Sequence, residues 1–211
     1  MSLGQDDAAT VMAREPTPVN AKPASSGRAR AAYADEPGLV KRVQAGDESA
    51  FTALVERYMP PAYAVALSLL RSEADAEDGV QESFIRALER IGQLRPGSPF
   101  GPWFYRVLRS TCLNLRRRET LRSHEALPAG VSSPASPERD LDRNRARTRV
   151  LSALEKLPEM QRLAVLLYDL EGYDHREIAA ILEIAEGTSR ANLHHGRRSL
   201  RQLLKGDEDV R

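Results

Sequence analysis

The stretch EGTSRANLHHGRRSL at residues 186–200 sets basic side chains between regularly spaced leucines and has no acid after its first residue. Such a surface could bind a polyanion, and the adjacent histidines could suggest a metal ion. On a helix, however, His194 and His195 point about 100° apart, so they cannot chelate one metal together. The chemistry predicted for this stretch is therefore contact with a phosphate backbone, without a metal or other cofactor.

Helical geometry predicts which of these side chains would face DNA. A short helix opened by Asp174-His-Arg-Glu177, a tight turn and a basic helix with Thr188 as its N-cap form a helix-turn-helix arrangement. With Leu193, Leu200 and Leu204 turned inward, the reading face lies on the opposite side. The predicted reading face consists of Arg190, Ala191, His194, His195 and Arg198, and Arg197 adds a phosphate contact. The alternative is a solvated basic face, which the helix-turn-helix context disfavours.

A second basic stretch, GPWFYRVLRSTCLNLRRR at residues 101–118, holds five arginines, no acid and an aromatic start. Aromatic faces stack unpaired bases and arginines follow the backbone, so this helix could hold single-stranded nucleic acid. The alternative is that Trp103 and Phe104 belong to the core, which we expect of at least one of them.

Carboxylates are concentrated at Asp75, Glu77 and Asp78, which could suggest metal ligands or a general acid–base pair. They lie close together at a predicted helix start, where the macrodipole favours negative charge, and no histidine partner or glycine-rich phosphate loop accompanies them. No nucleophile–base pair is visible either. The sequence therefore predicts that the protein is not an enzyme.

Composition sets the fold class and the compartment. The chain has 211 residues and is rich in Ala, Leu, Arg and Glu, which favours helices over strands, so we predict an all-α protein. Its only cysteine, Cys112, cannot form an internal disulfide. We find no secretory start and no apolar window long enough for a bilayer, which predicts a cytoplasmic protein without membrane insertion.

Breaks in periodicity divide the chain into two small helical domains. The predicted parts are a disordered tail at 1–34, a first domain at 35–118, a flexible linker at 119–141, a second domain at 142–205 and a C-terminal tail at 206–211. Within the first domain, Pro60 and Pro61 are expected to interrupt a helix, and a later helix is expected to span 103–118. The apolar stripe of the acidic helix is predicted to be Val80, Phe84, Leu88 and Ile91.

Three further segments carry a recognisable pattern: DAEDGVQESFIRAL at 75–88, PFGPWFYRV at 99–107, and LEKLPEMQRLAVLLYDLEGYDHREIAAIL at 154–182, which continues into the basic helix. These segments resemble bacterial RNA polymerase sigma factors of the extracytoplasmic function (ECF) group. The first two are similar to region 2 of that group, and the third is similar to region 4. The resemblance covers about residues 36–118 and 142–205. It implies a protein that binds core polymerase, recognises a promoter and helps to melt it, with a cognate anti-sigma factor as a further partner.

The resemblance also implies roles for particular residues. The acidic helix would dock on core polymerase through Asp75, Asp78, Gln81 and Glu82. The loop and helix that follow would capture the single-stranded −10 element through Arg95, Ser98, Phe100, Trp103, Tyr105 and Arg106. The final helix would read the −35 element through Arg190, Ala191, His194 and His195. The last set lies on the face that helical geometry gives independently.

The sequence departs from the group's pattern in the basic helix. Asn192 and His195 stand where the group commonly has arginines, so its promoter preference cannot be copied from other members. Two rival functions remain at this stage. One is a helix-turn-helix regulator that binds duplex DNA without polymerase, and the other is a metal-dependent nucleic-acid-modifying enzyme that uses the carboxylates at 75–78.

Overall fold

The computed structural model describes residues 35–95, 97–125 and 141–206, and for 122–125, 141–147 and 206 it describes the backbone alone. This part of the chain is helical and contains no β-strand, so the all-α prediction is confirmed. The predicted N-terminal tail, most of the predicted linker and most of the C-terminal tail lie outside the described residues.

Two groups of helices follow one another along the chain. The N-terminal bundle consists of α1 (Glu36–Gln44), α2 (Glu48–Leu70), α3 (Glu73–Arg90) and α4 (Phe100–Glu125), with a 3-10 turn at Ile91–Gln93. The C-terminal bundle consists of α5 (Leu141–Glu155), α6 (Glu159–Val165), α7 (His175–Leu182) and α8 (Glu186–Gly206), with a π-helical turn at Leu166–Leu170. The bundles touch, because α4 contacts α7 and α2 contacts α6.

Side-chain caps set the starts of α2 and α3. The Asp47 carboxylate accepts the backbone N–H groups of Ser49 at 3.0 Å and Ala50 at 3.2 Å, which makes Asp47 the N-cap of α2. At α3 the cap is Ser72, whose hydroxyl accepts the N–H of Asp75 at 3.3 Å. The helix therefore begins at Glu73 and its first turn contains Asp75 but not Glu77 or Asp78, contrary to the prediction.

Helix α2 passes through Pro60 and Pro61 without a break, so the predicted interruption is wrong. A proline inside a helix removes a backbone hydrogen bond and costs about 3 kcal/mol. The core face of α2 offsets this cost, because it is buried on both sides of the prolines, at Leu54 and Tyr58 before them and at Val65, Ala66 and Leu69 after them. Periodicity alone does not reveal such tertiary compensation.

Aromatic rings fill the centre of the N-terminal bundle. The ring of Tyr58 lies 5.3 Å from that of Phe100 and 5.7 Å from that of Phe104, and Phe104 stacks on Phe84 at 4.5 Å. Phe104 is completely buried, as expected for at least one of Trp103 and Phe104. The Tyr58 hydroxyl donates to the buried carboxylate of Glu36. Burial raises the pKa of Tyr58, and the neighbouring Tyr173 and Glu36 raise it further.

Two further expectations for this bundle need correction. Of the predicted stripe on α3, Val80, Phe84 and Ile91 are buried, whereas Leu88 is 49% exposed and Ala87 occupies the core instead. Helix α4 begins at Phe100 and continues to Glu125, so it extends beyond the predicted span of 103–118 at both ends.

The C-terminal bundle contains the predicted capping box. The N–H of Glu177 donates to the Asp174 carboxylate, and the N–H of Asp174 donates to the Glu177 carboxylate, both at 2.9 Å. The turn that follows differs from the prediction. The left-handed residue is Glu183, with φ of 57°, and α8 begins at Glu186, so Thr188 is not its N-cap.

Helix α6 ends in the π-helical turn, in which the N–H of Glu171 donates to the carbonyl of Leu166 at 3.2 Å. The extra residue in this turn rotates the following side chains away from the regular helical period. Leu163, Leu166 and Leu167 are buried, whereas Leu170 is 54% exposed.

A close helix crossing yields a stability prediction. A Cβ atom added at Gly196 would lie 2.9 Å from the backbone oxygen of Gln161, so α8 approaches α6 at this point because Gly196 has no side chain. We expect Gly196→Ala to lower the free energy of unfolding by about 1–3 kcal/mol. Urea denaturation measures this change.

The matched control is Gly187→Ala on the same helix, since nothing lies within 4 Å of the Cβ position there. Alanine should be neutral or stabilising by up to about 1 kcal/mol at that site. Equal stability of the two variants would contradict the close crossing.

Candidate nucleic-acid interface

Helix α8 presents one exposed polar face. Leu193 is buried against the rest of the C-terminal bundle. The side chains predicted to read DNA lie on the opposite side and are all exposed: Arg190, Ala191, His194, His195 and Arg198. The predicted reading face therefore exists as a continuous surface, and its binding role stays a prediction.

Arg197 differs from its neighbours because the C-terminal bundle holds it. Its Nε donates to Asp169 at 3.0 Å, and its guanidinium carbon lies 5.0 Å from the centre of the Tyr168 ring. The hydrogen bonds to Asp169 raise the pKa of Arg197. A phosphate would compete with this pairing, so the exposed Arg198 is better placed for a backbone contact. Arg190 likewise pairs with Glu186, one turn earlier.

The rings of the adjacent histidines diverge, as helical geometry predicts. The ring centroids of His194 and His195 are 5.5 Å apart and the ring planes cross at 78°. Within the described residues, no cluster of three or more His, Cys, Asp or Glu side chains has a geometry suited to a metal ion.

A contact that the sequence did not reveal fixes α8 to α7. The Nδ1 of His175 lies 3.1 Å from the hydroxyl of Ser189, and the His175 ring lies 4.9 Å from that of Tyr168. Ser189 is completely buried. Ser189 lies four residues before Leu193, so the helical period places it on the buried side of α8, and this spacing was the signal available in the sequence. The contact sets the position of the recognition helix relative to its support.

The residues predicted to capture the −10 strand fall into two groups. Arg95 and Arg106 are exposed, and Ser98 and Trp103 are half-buried. Phe100 and Tyr105 are buried, with 0% and 1% of their surface exposed. Their role stays a prediction, but in this arrangement no base can stack on either ring.

The C-terminal bundle is what covers Tyr105. The Tyr105 hydroxyl donates to the Glu171 carboxylate at 2.8 Å, and the Tyr173 ring lies 5.6 Å from that of Tyr105 at a steep angle. Beside this contact, a groove between the bundles is lined by basic and polar side chains of α4, which include Arg106, Arg109, Asn114 and Arg117.

Helix α3 has an exposed face that combines acids with apolar side chains. Asp75, Asp78 and Gln81 are exposed, and Glu82 is half-buried and paired with Arg86. The sequence prediction missed two members, Ile85 and Leu88, which are 60% and 49% exposed. Ile85 lies one turn after Gln81, and Leu88 follows at helical spacing, so the apolar pair extends the acidic face. Two neighbouring exposed apolar side chains beside acids would suit a partner surface.

None of the helices in the described part of the chain combines the length and the apolar character that crossing a membrane requires.

Comparison with known proteins gives the class to which this arrangement belongs. The family model for sigma-70 region 2 matches residues 54–122, and that for sigma-70 region 4 matches residues 147–200. Among relatives, the ECF RNA polymerase sigma factor SigE of Mycolicibacterium smegmatis is 35% identical over 178 residues, which cover 81% of this chain and 69% of the relative. The ECF RNA polymerase sigma-E factor of Salmonella typhimurium is 33% identical over 173 residues, which cover 77% of this chain and 90% of the relative.

Two solved structures of sigma factors also resemble this chain. CnrH, in complex with the cytosolic domain of CnrY, is 25% identical with a TM-score of 0.60, covering 81% of this chain and 97% of CnrH. RpoE of Bartonella quintana, in complex with the anti-sigma factor NepR, is 27% identical with a TM-score of 0.59, and the match covers 74% of this chain and 96% of RpoE. The chain belongs to the sigma-70 family of RNA polymerase sigma factors, within its ECF group.

The half-buried position of His175 yields a pH prediction. Burial lowers the pKa of His175, and the nearby Arg190 lowers it further. The unfolded chain, with an ordinary histidine pKa of about 6.5, therefore binds more protons than the folded chain just below neutral pH. We expect His175 to make the folded protein lose stability as the pH falls from about 7 towards the lowered pKa, and thermal melting against pH measures this.

Two variants test the origin of this loss. His175→Gln should flatten the melting profile in that window, whereas Ser189→Ala removes the partner but keeps the titrating ring and should leave a pH dependence. A profile that is unchanged in His175→Gln would rule out this histidine as its source.

Proposed function

We propose that the protein binds core RNA polymerase, directs it to specific promoters and assists promoter melting. The observation that carries this proposal is the presence, in one chain and in the order of regions 2 and 4, of an exposed acidic and apolar face on α3 and an exposed basic face on α8. Sigma factors are initiation factors and not catalysts themselves, and we propose the same for this chain. Direct support would come from promoter-dependent transcription when the chain is added to core polymerase.

The polymerase contact is proposed for α3. Asp75, Asp78, Gln81 and Glu82 supply charge and hydrogen-bonding groups, and Ile85 and Leu88 supply apolar area. Charged rims around an apolar centre are typical of protein interfaces.

The −10 element is proposed to bind the loop before α4 and the start of α4, through Arg95, Ser98, Phe100, Trp103, Tyr105 and Arg106. The exposed arginines suit the phosphates, and the aromatic rings suit unstacked bases once they are uncovered.

The −35 element is proposed to bind α8. Its reading face is exposed, and the exposed Arg198 suits a phosphate. Because Arg190 is paired with Glu186 in the structure, base contact by Arg190 requires this surface pair to break. Such an exposed pair contributes about 0–1 kcal/mol, so DNA can displace it.

A cognate anti-sigma factor is proposed as a further partner. CnrH was solved in complex with the cytosolic domain of CnrY, and the Bartonella RpoE was solved in complex with NepR, which is named as an anti-sigma factor. We also propose a cytoplasmic location, because the proposed partner is core polymerase.

The polymerase-independent regulator is the weaker candidate. It uses α7 and α8 but leaves the exposed Ile85 and Leu88 without a role. It also leaves the match of residues 54–122 to sigma region 2 unexplained.

A charge placed on α3 tests the polymerase contact. We expect Asp78→Lys and Ile85→Lys each to weaken core binding by about tenfold, because one reverses a charge and the other puts a charge where apolar area is buried. The measurement is competition for core polymerase against a labelled reference sigma factor, with circular dichroism to check the fold.

Glu56→Lys is the matched control, since Glu56 is an exposed acid of α2 and the change in net charge equals that of Asp78→Lys. If all three variants bind core polymerase like the wild type, α3 is not the docking helix.

His195 tests base reading by α8. An imidazole offers two ring nitrogens, whereas arginine offers a fork of five N–H donors that suits guanine, and a good base contact contributes about 1–3 kcal/mol of discrimination. We therefore expect His195→Arg to change the preferred bases at one or two positions of the −35 element. Transcription from a randomised −35 library measures the preference.

Arg198→Ala provides the comparison, because a phosphate contact should lower transcription from all library members about equally and reduce its salt dependence. Identical base preferences for wild type and His195→Arg would show that His195 does not read the DNA.

A further inference from the structure

Helix α1 holds both ends of the loop that precedes α4. At the C-terminal end of α1, the side-chain amide of Gln44 donates to the backbone carbonyls of Ile91 at 2.8 Å and Leu94 at 3.0 Å. At the N-terminal end of α1, the carboxylate of Glu36 accepts the backbone N–H of Phe100 at 2.6 Å. The loop therefore starts and ends on the same short helix, which lies 47 to 64 residues earlier in the chain.

The length of α1 sets the separation of these two contacts. Glu36 and Gln44 are the first and last residues of the helix, and at 1.5 Å per residue they lie about 12 Å apart along its axis. An extended chain from Leu94 to Phe100 could reach about 20 Å, so the loop has slack. The loop cannot be straight, and its shape depends on where this slack is taken up.

A turn in the middle of the loop takes up the slack. The N–H of Ser98 donates to the carbonyl of Arg95 at 3.0 Å. Gly97 has φ of 78°, in the left-handed region that favours glycine and that such a turn requires. Two anchored ends and one internal turn together define a single loop shape.

Helix α1 is itself fixed, so it can act as a support. It contacts α2, and its apolar face is buried at Leu39, Val40 and Val43. Just before the helix, Asp35 pairs with Arg57 of α2 at 2.9 Å, and the hydrogen bond to Asp35 raises the pKa of Arg57. The positions of Glu36 and Gln44 are therefore set by the packing of α1 and not by the loop that they hold.

The two ends of the loop are anchored to different degrees. At the α4 end, the Tyr58 hydroxyl donates to the same Glu36 carboxylate. Gly101, the second residue of α4, leaves room for the hydroxyls of Tyr58 and Tyr173, because a Cβ atom there would collide with both. At the other end, Gln44 holds the carbonyl of Leu94 from an exposed position. A change at Gln44 should therefore loosen the loop without disturbing the core.

The contacts to α1 lie beneath the loop and leave its middle turned outward. Leu94 and Phe100 are 5% and 0% exposed, whereas Arg95, Gly97 and Pro99 are exposed. An exposed loop without such support would have to be ordered when a ligand binds, at a cost in conformational entropy. Here that ordering is complete before any ligand arrives.

We propose that α1 is a positioning element for the −10 strand, in which Gln44 and Glu36 preset the loop shape that selects an unstacked base. This inference rests on the proposed function, in which the loop and the start of α4 bind the −10 element. Neither side chain touches DNA, since each acts through the backbone of the loop. Donors and acceptors select a base edge only when they are held within about 0.5 Å of the right geometry, so a loosened loop loses discrimination.

Gln44 allows a nearly isosteric test. Gln44→Glu keeps the shape of the side chain but replaces its N–H donors by an oxygen that faces two carbonyl oxygens. Gln44→Met removes the donors without adding a charge. The matched control is Gln93→Glu, because Gln93 lies in the adjacent 3-10 turn, is exposed, and gives the same change in net charge.

The first experiment measures transcription by core polymerase with the full chain from two promoter libraries, one randomised at −10 and one at −35. In Gln44→Glu the ratio of preferred to disfavoured bases at −10 should fall by about fivefold, the equivalent of one hydrogen bond. Gln44→Met should lower this ratio in the same direction, and Gln93→Glu should keep it. The preferences at −35 should stay as in the wild type, because α8 is far from the change in sequence and in contact.

Glu36 adds a test by conservative rescue. In Glu36→Gln the amide oxygen can still accept the Phe100 N–H, so this variant should retain the −10 preference. Glu36→Ala has no acceptor and should flatten the preference. If Glu36→Ala fails to fold, as thermal melting would show, the two Gln44 variants decide the outcome.

The second experiment measures amide hydrogen exchange of the free protein by NMR. The Ser98 amide closes the turn of the loop, so its protection should fall by at least about threefold in Gln44→Met, because local opening becomes easier. The amide of the completely buried Leu108 in α4 should exchange as in the wild type. Unchanged protection of Ser98 would show that Gln44 does not order the loop.

The outcomes separate this proposal from its alternatives. Unchanged −10 preferences in both Gln44 variants would overturn it. An equal loss of transcription from all members of the −10 library would also overturn it, because that result marks a purely structural role. Failure of the proposed function has a different signature, namely a wild type that supports no transcription from either library. Normal wild-type transcription with wild-type preferences in the variants would reject the positioning role alone.

Discussion

The buried carboxylate of Glu36 is the interaction on which the arrangement of the N-terminal bundle depends. It accepts the Tyr58 hydroxyl and, at 2.6 Å, the backbone N–H of Phe100. A carboxylate at the first residue of a helix satisfies a donor that has no partner within the helix, and the helix dipole favours it. One side chain of α1 thereby fixes the start of α4 against α2. The loop that precedes α4 and the rings that follow it take their positions from this point.

The aromatic centre that results serves both packing and recognition. Phe100 and Tyr105 contribute to the core, yet their ring types suit the stacking of bases. A core made of such rings remains chemically attractive to any flat, amphipathic group that reaches its edge. In the structure that group is a tyrosine of the same chain, Tyr173.

Local signals in the sequence predicted the elements well but not their mutual burial. The capping box at Asp174 and Glu177 and the cap at Asp47 depend on neighbouring residues, so spacing suffices to find them. The prolines of α2 remain helical because distant side chains offset their cost, and this information is not local. Leu88 follows the helical period of α3 but is exposed, because a position at the margin of an apolar stripe can face either way.

In the candidate site, too, local spacing predicted the exposed faces but not the contacts between distant residues. The exposed face of α8 followed from the helical period and one buried leucine, Leu193. The covering of Tyr105 by Glu171 and Tyr173 joins residues far apart in sequence, so no spacing rule could have found it. The π-helical turn is equally hidden, because its sequence, Leu-Leu-Tyr-Asp-Leu, is compatible with a regular helix.

That turn makes chain length itself a determinant of the contact between the bundles. A π-helical turn holds one residue more than an α-helical turn, so loss of one codon within Leu166–Leu170 would let α6 close a regular turn while the residues after it keep their places. One further residue inserted there would instead rotate the residues after the turn by about 100°. Tyr173 would then leave Gly101 although every side chain at the contact kept its identity. Evolution can thus uncouple the two halves of this protein by a single-residue insertion, a change that comparison of residue types alone would overlook.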